Sequence, residues 1–175
     1  MPSFAIHLAI SERYIEKHPG EIINKEEFLL GSVAPDLYPD FKKVLPTKVI
    51  THYQNLGTNK INFKDFYLEN KVDITTDFGK GYLLHLWTDD RFYNFDFKTE
   101  YETSVQNGEN LHNDWSSLNK YIFEKYTINS PNDYISQFFV KIDTPPKYLT
   151  PQSMISYIEK MSDISINEII KSSKI

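Results

Sequence analysis

The chain has 175 residues, no cysteine, and 24 acidic against 19 basic residues, for a formal net charge of -5. That length suits one domain, residues 1–175, with enough chain to bury a real core. Lack of cysteine excludes disulfides, thiolate ligands and cysteine nucleophiles, and the acidic balance argues against a broad nucleic-acid-binding surface.

A phosphate-bearing small molecule stays within reach, because a bound metal can supply positive charge locally. With 12 Tyr and 12 Phe, the core and any cleft are expected to be aromatic-rich. The opening Met-Pro-Ser-Phe-Ala-Ile-His has no basic stretch leading into a long apolar run. No secretory signal and no transmembrane segment is expected, so the location read from the sequence is cytoplasmic.

Pro2 to His18 reads as the first helix, stopped by His18-Pro19-Gly20. Asn24 is placed to cap a short second helix through Leu30, with Glu26 and Glu27 in its first turn. Leu37 to Pro46 reads as loop, followed by a helix or turn carrying Thr51-His52-Tyr53; a short hairpin between Val44 and Ile61 stays open. Phe63 to Asn70 fits another short helix. Asp73 to about Asn94 gives the strongest pattern for a long buried helix, in which Gly79 and Gly81 would permit close packing. Phe95 to Glu109 is polar and unpatterned. Asn113 or Asp114 can cap a helix reaching Tyr126, and Ser130-Pro131 can open another. Thr150-Pro151 begins the last, with Met154, Ile155, Ile158 and Met161 at helical spacing. The expectation is an all-α, single-domain helical bundle.

Chemistry gathers on few residues. His85 and Asp89 stand four apart, so on a helix they project from one face a turn apart. Both can reach one metal, or Asp89 can bridge two; the plainer alternative is an imidazole held by a carboxylate. His7 and His52 interrupt apolar stretches, and each is also readable as a hydrogen-bonded core histidine. Asp36 follows Ala34-Pro35 and by itself reads as a turn aspartate. Three of the five histidines lie in apolar surroundings, two with an acid placed to join them, as a nitrogen and oxygen metal site requires. His112, beside a helix start, is either a surface residue or a further ligand. His18 at a helix end has no catalytic role. No P-loop, dinucleotide fingerprint or nucleophile elbow is present.

Three blocks carry a family likeness: His7-Leu-Ala-Ile-Ser; Phe28-Leu-Leu-Gly-Ser-Val-Ala-Pro-Asp36 with Thr51-His52-Tyr53; and Gly81-Tyr-Leu-Leu-His85-Leu-Trp-Thr-Asp89. In this order the sequence resembles the zinc-dependent phospholipase C family, whose all-helical fold is shared with zinc-dependent single-strand nucleases. The resemblance covers about the first half of the chain. It implies His7, Asp36, His52, His85 and Asp89 as ligands of one or two zinc ions, with Asp89 bridging. It also implies Asp36 as acceptor of the attacking water's proton. The family's third zinc site departs: Phe95 stands where a histidine is expected, and Ser116 follows His112 where a glutamate is expected. That site is read as absent or rebuilt with His112 or Asp114.

The leading expectation is therefore a metal-dependent hydrolase of phosphoesters, acting on a phospholipid head group or a small phosphodiester through a metal-activated water. The alternative is a non-catalytic helical binding protein with a structural or degenerate metal site. An HD-type metallophosphohydrolase ranks below both, because no His-Asp dipeptide occurs.

Overall fold

The computed structural model describes residues 3–37, 49–69, 72–129 and 143–173. Regular structure among them is helical: α1 (Phe4–Lys17), α2 (Lys25–Val33), α3 (Phe63–Glu69), α4 (Asp77–Arg91), α5 (Lys98–Gln106), α6 (His112–Lys125), α7 (Pro151–Asp163) and α8 (Ile166–Ser173). The only β pairing among the described residues is one isolated antiparallel bridge, Gln54 to Ile61, and the start of the hairpin alternative, 44–48, lies outside the described residues. The helix expected after Ser130-Pro131 and most of the Leu37–Pro46 loop lie outside the described residues.

Local chemistry sets the ends. The Asn24 side chain accepts the Glu27 N–H at 3.2 Å and caps α2. Thr150 and Ser153 form a reciprocal capping box at the start of α7, with Pro151 in its first turn. The long helix α4 begins four residues later than its apolar pattern suggests. Asp73 instead makes an Asx turn, accepting the Thr75 N–H at 2.9 Å, and Thr76 caps the helix at Gly79. At its other end α4 passes into a π turn, Phe92–Asp96, closed by the Phe97 N–H on the Phe92 carbonyl at 3.0 Å. The polar stretch after it forms α5.

The seam that positions the site lies between α2 and α4. A Cβ on Gly31 would stand 2.0 Å from the Phe78 carbonyl oxygen, and one on Gly81 would stand 2.1 Å from that of Phe28. Each helix thus brings backbone against a glycine of the other, which no larger residue allows. Asp77 ties the same pair together from the loop side, accepting the Ile23 N–H at 2.9 Å and the Asn24 N–H at 2.6 Å. Around this seam α1, α4, α6, α7 and α8 share one aromatic-rich core. Phe92 sits at its centre against Phe97, Trp115 and Tyr157.

Candidate metal centre

α1 carries His7, the single 3-10 turn after α2 (Ala34–Asp36) carries Asp36, residues 49–51 lead into His52, and α4 carries His85 and Asp89. The fold brings all five together in its interior. His52, His85 and Asp89 are 0% exposed, His7 2% and Asp36 7%. Their donor atoms face one another: His85 Nε2 lies 3.2 Å from His52 Nε2, and His52 Nε2 lies 3.1 Å from Asp36 Oδ1. Asp89 divides its oxygens. Oδ1 stands 3.4 Å from His7 Nε2, whereas Oδ2 stands 3.7 Å from both His52 Nε2 and His85 Nε2. The rings of His7 and His85 stack at 3.8 Å.

The surroundings decide which nitrogens face inward as lone pairs. His85 Nδ1 lies 2.8 Å from the Ser32 carbonyl, so Nδ1 carries the proton and Nε2 is left bare. That carbonyl is available because α2 ends at Val33 and Pro35, three residues on, has no N–H to offer it. Thr51 Oγ1 donates to the Pro35 carbonyl at 3.0 Å and so meets His52 Nδ1, also at 3.0 Å, as an acceptor. His52 Nε2 is therefore bare as well. Tyr82 donates to the Thr51 carbonyl and holds that turn against α4.

Two lone pairs 3.2 Å apart, ringed by two carboxylates, repel unless a cation lies among them. Two further observations agree. Among the described residues, the buried His7 Nε2 and both Asp89 oxygens have no hydrogen-bond partner. Leaving a buried carboxylate unpaired costs several kcal/mol. Donor atoms about a four-coordinate zinc, with bonds of about 2.0–2.1 Å, stand about 3.3 Å apart, close to the separations found here. Two triads fit a shared ion, His7–His85–Asp89 and Asp36–His52–His85, and they have His85 in common. The donor set, imidazole and carboxylate without sulfur, suits zinc and other divalent first-row metals.

Electrostatics run the same way. Burial, with His7 beside it, holds the His85 imidazole down to about 3, so it is neutral near pH 7. Burial pushes the Asp36 and Asp89 carboxyls up. The surrounding imidazoles, His85 foremost, outweigh it and leave both acids below the usual carboxylate range. At neutral pH both carboxylates of the cluster are ionised.

The remaining candidates fall elsewhere. His112 opens α6 on the surface, its ring edge-on to Trp115 at 4.9 Å, and is not part of either triad. Asp114, considered for a rebuilt third site, is committed to structure. Its carboxylate accepts the N–H groups of Lys147, Tyr148 and Leu149 at 2.9, 2.6 and 2.8 Å. Sequence reading missed the residues that aim the cluster, Ser32, Thr51 and Tyr82. A proline placed just after a helix, freeing a carbonyl three residues back, was the available signal for Ser32. No protein family, curated protein or solved structure matches this chain.

Proposed function

We propose that the protein is a metal-dependent hydrolase of phosphoesters, in the manner of the zinc-dependent phospholipase C family that its first half resembles. The observation that carries this reading is the inward convergence of His7, Asp36, His52, His85 and Asp89, with Asp89 presenting one oxygen to His7 and the other to His52 and His85. His7 and Asp89 would hold one ion; Asp36, His52, His85 and the second Asp89 oxygen would hold another. Bound divalent zinc supplies Lewis acidity and a water acidic enough to attack at neutral pH.

The chain's own residues do the rest. Ser32 and Thr51 fix the histidine tautomers through their contacts with Nδ1. Asp36, the least buried of the five at 7%, would accept the water's proton on the carboxylate oxygen turned away from His52 Nε2. A phospholipid head group and a small phosphodiester both meet this chemistry.

One observation favours a second reading. The near-complete burial of all five side chains resembles a closed structural ion site, and catalytic zinc keeps a position open to water. A single experiment separates the two. Protein purified without added metal is assayed for zinc content and for turnover of bis(p-nitrophenyl) phosphate, beside Asp36→Asn. Stoichiometric zinc with turnover that Asp36→Asn lowers by about 100-fold or more supports the hydrolase. Stoichiometric zinc with no turnover supports the structural ion, and no zinc removes both.

A further inference from the structure

On the outer side of α4 a groove of about 740 Å³ runs between the Gln54–Ile61 loop, α3, the π turn and the end of α8, a size within the range of small-ligand sites. α4 serves both places in alternation: His85 and Asp89 face the buried cluster, whereas Trp87 and Arg91 line the groove. The Arg91 guanidinium lies over two rings, 4.3 Å from the Trp87 centroid and 4.4 Å from that of Phe95. These cation–π contacts hold the guanidinium at the groove wall, where its N–H groups can meet an acceptor. Phe95 is 60% exposed, an unusual state for a large apolar side chain that a protein core has not claimed. Phe63 closes the apolar wall, 6.2 Å from Trp87.

Lys60 and Lys64 line the same groove. Among the described residues no carboxylate forms an ion pair with Lys60, Lys64 or Arg91. Elsewhere the chain pairs its cations readily: Arg13 and Lys17 with Glu159, Lys25 with Glu12, Lys80 with Asp77, Lys147 with Glu109 and Lys160 with Asp96. Among the described lining residues the one acid is Asp90, which is partly buried, accepts from Ile61 and Asn94 and also feels Arg91 and Lys60. Three cations against this acid leave two positive charges in a chain of net charge -5.

We propose that this groove binds a phosphomonoester carried on a planar ring, the chemistry of a nucleoside monophosphate. The dianionic phosphate meets the Arg91 fork and the two lysines, and the ring lies against the exposed Phe95 and the half-buried Phe63. The site is separate from the metal centre and holds whether or not the hydrolase reading does.

The test is calorimetric titration of the EDTA-treated protein with adenosine 5′-monophosphate, beside adenosine and inorganic phosphate. Adenosine monophosphate is expected to bind without metal, at least about tenfold tighter than either half alone. Arg91→Ala weakens it by about tenfold or more and Lys64→Ala by a smaller factor, with circular dichroism unchanged. Arg91→Gln, which keeps the bulk of the side chain, gives the same loss should the alanine variant misfold. Binding that appears only with zinc, or that Arg91→Gln leaves within twofold, overturns the proposal, as does no binding at millimolar ligand. Loss of zinc or of phosphodiester turnover with groove binding intact defeats only the hydrolase reading.

Discussion

Asp89 and Asp114 are both buried aspartates inside helices, at 0% and 3% exposure, and their surroundings are opposite. Asp114 receives three backbone N–H groups and so stitches the strand of chain before α7 to α6. Asp89 receives none, and faces imidazole nitrogens instead. A carboxylate that the fold has supplied with donors is a structural joint. One that the fold has left without donors and set among imidazole nitrogens has the chemistry of a cation ligand.

The sharpest way to break that contrast is to add zinc and follow thermal unfolding. At a thousandfold excess over the dissociation constant, zinc should stabilise the native chain by about 4 kcal/mol, and Asp89→Asn should abolish the gain. Without metal the same variant should cost less than loss of the Asp114 carboxylate, because it keeps the side-chain shape and strands no backbone N–H. Asp114→Ala should do the reverse. It strands three donors, costs about 3 kcal/mol and lowers the melting temperature by roughly 6–12 °C, with zinc content intact. Equal destabilisation by both substitutions without metal would erase the distinction.

A smaller effect follows from His85, which burial holds down to about 3, below the ordinary imidazole value of 6.5. Between those values the unfolded chain binds more protons than the folded one. Stability of the metal-free protein is therefore complete above about pH 6.5 and falls as pH drops toward 3, by up to about 1.4 kcal/mol per pH unit. Asp36 and Asp89, also depressed, extend the loss below the ordinary carboxylate range. His85→Gln should flatten the slope between pH 6.5 and 4 in denaturant titrations. The smallest effect belongs to the exposed His112: its alanine variant should keep its zinc and change stability by less than about 0.5 kcal/mol.

Much of the bundle was legible in the sequence because its signals are local. Asn24 and Thr150 cap as their positions suggest, and the apolar spacing in α1, α4 and α7 is real. Gathering of the five site residues was also anticipated, though the histidine contexts alone left each open to a core role. The unread parts depend on less obvious chemistry. α5 carries few apolar residues, with Ser104 the one buried side chain within it, so no periodicity announces it. α8 was overlooked although Ser165 and Glu168 cap it reciprocally, the Glu168 side chain accepting the Ser165 N–H at 3.0 Å. The π turn leaves no pattern to read, because one extra residue per turn mimics the end of a helix. Asp114 was weighed as a ligand and as a cap. Only the fold reveals that its partners lie 33 to 35 positions away.

The crossing of α2 and α4 has a consequence for how the chain tolerates change. Gly31 and Gly81 touch no donor atom of the cluster, yet a methyl group at either would push the helices apart and pull the Ser32 carbonyl off His85. In a library covering every substitution, selected for zinc retention, these two positions should be as intolerant as the histidines themselves. Residues on the outer flank of α5, by contrast, should accept nearly anything soluble.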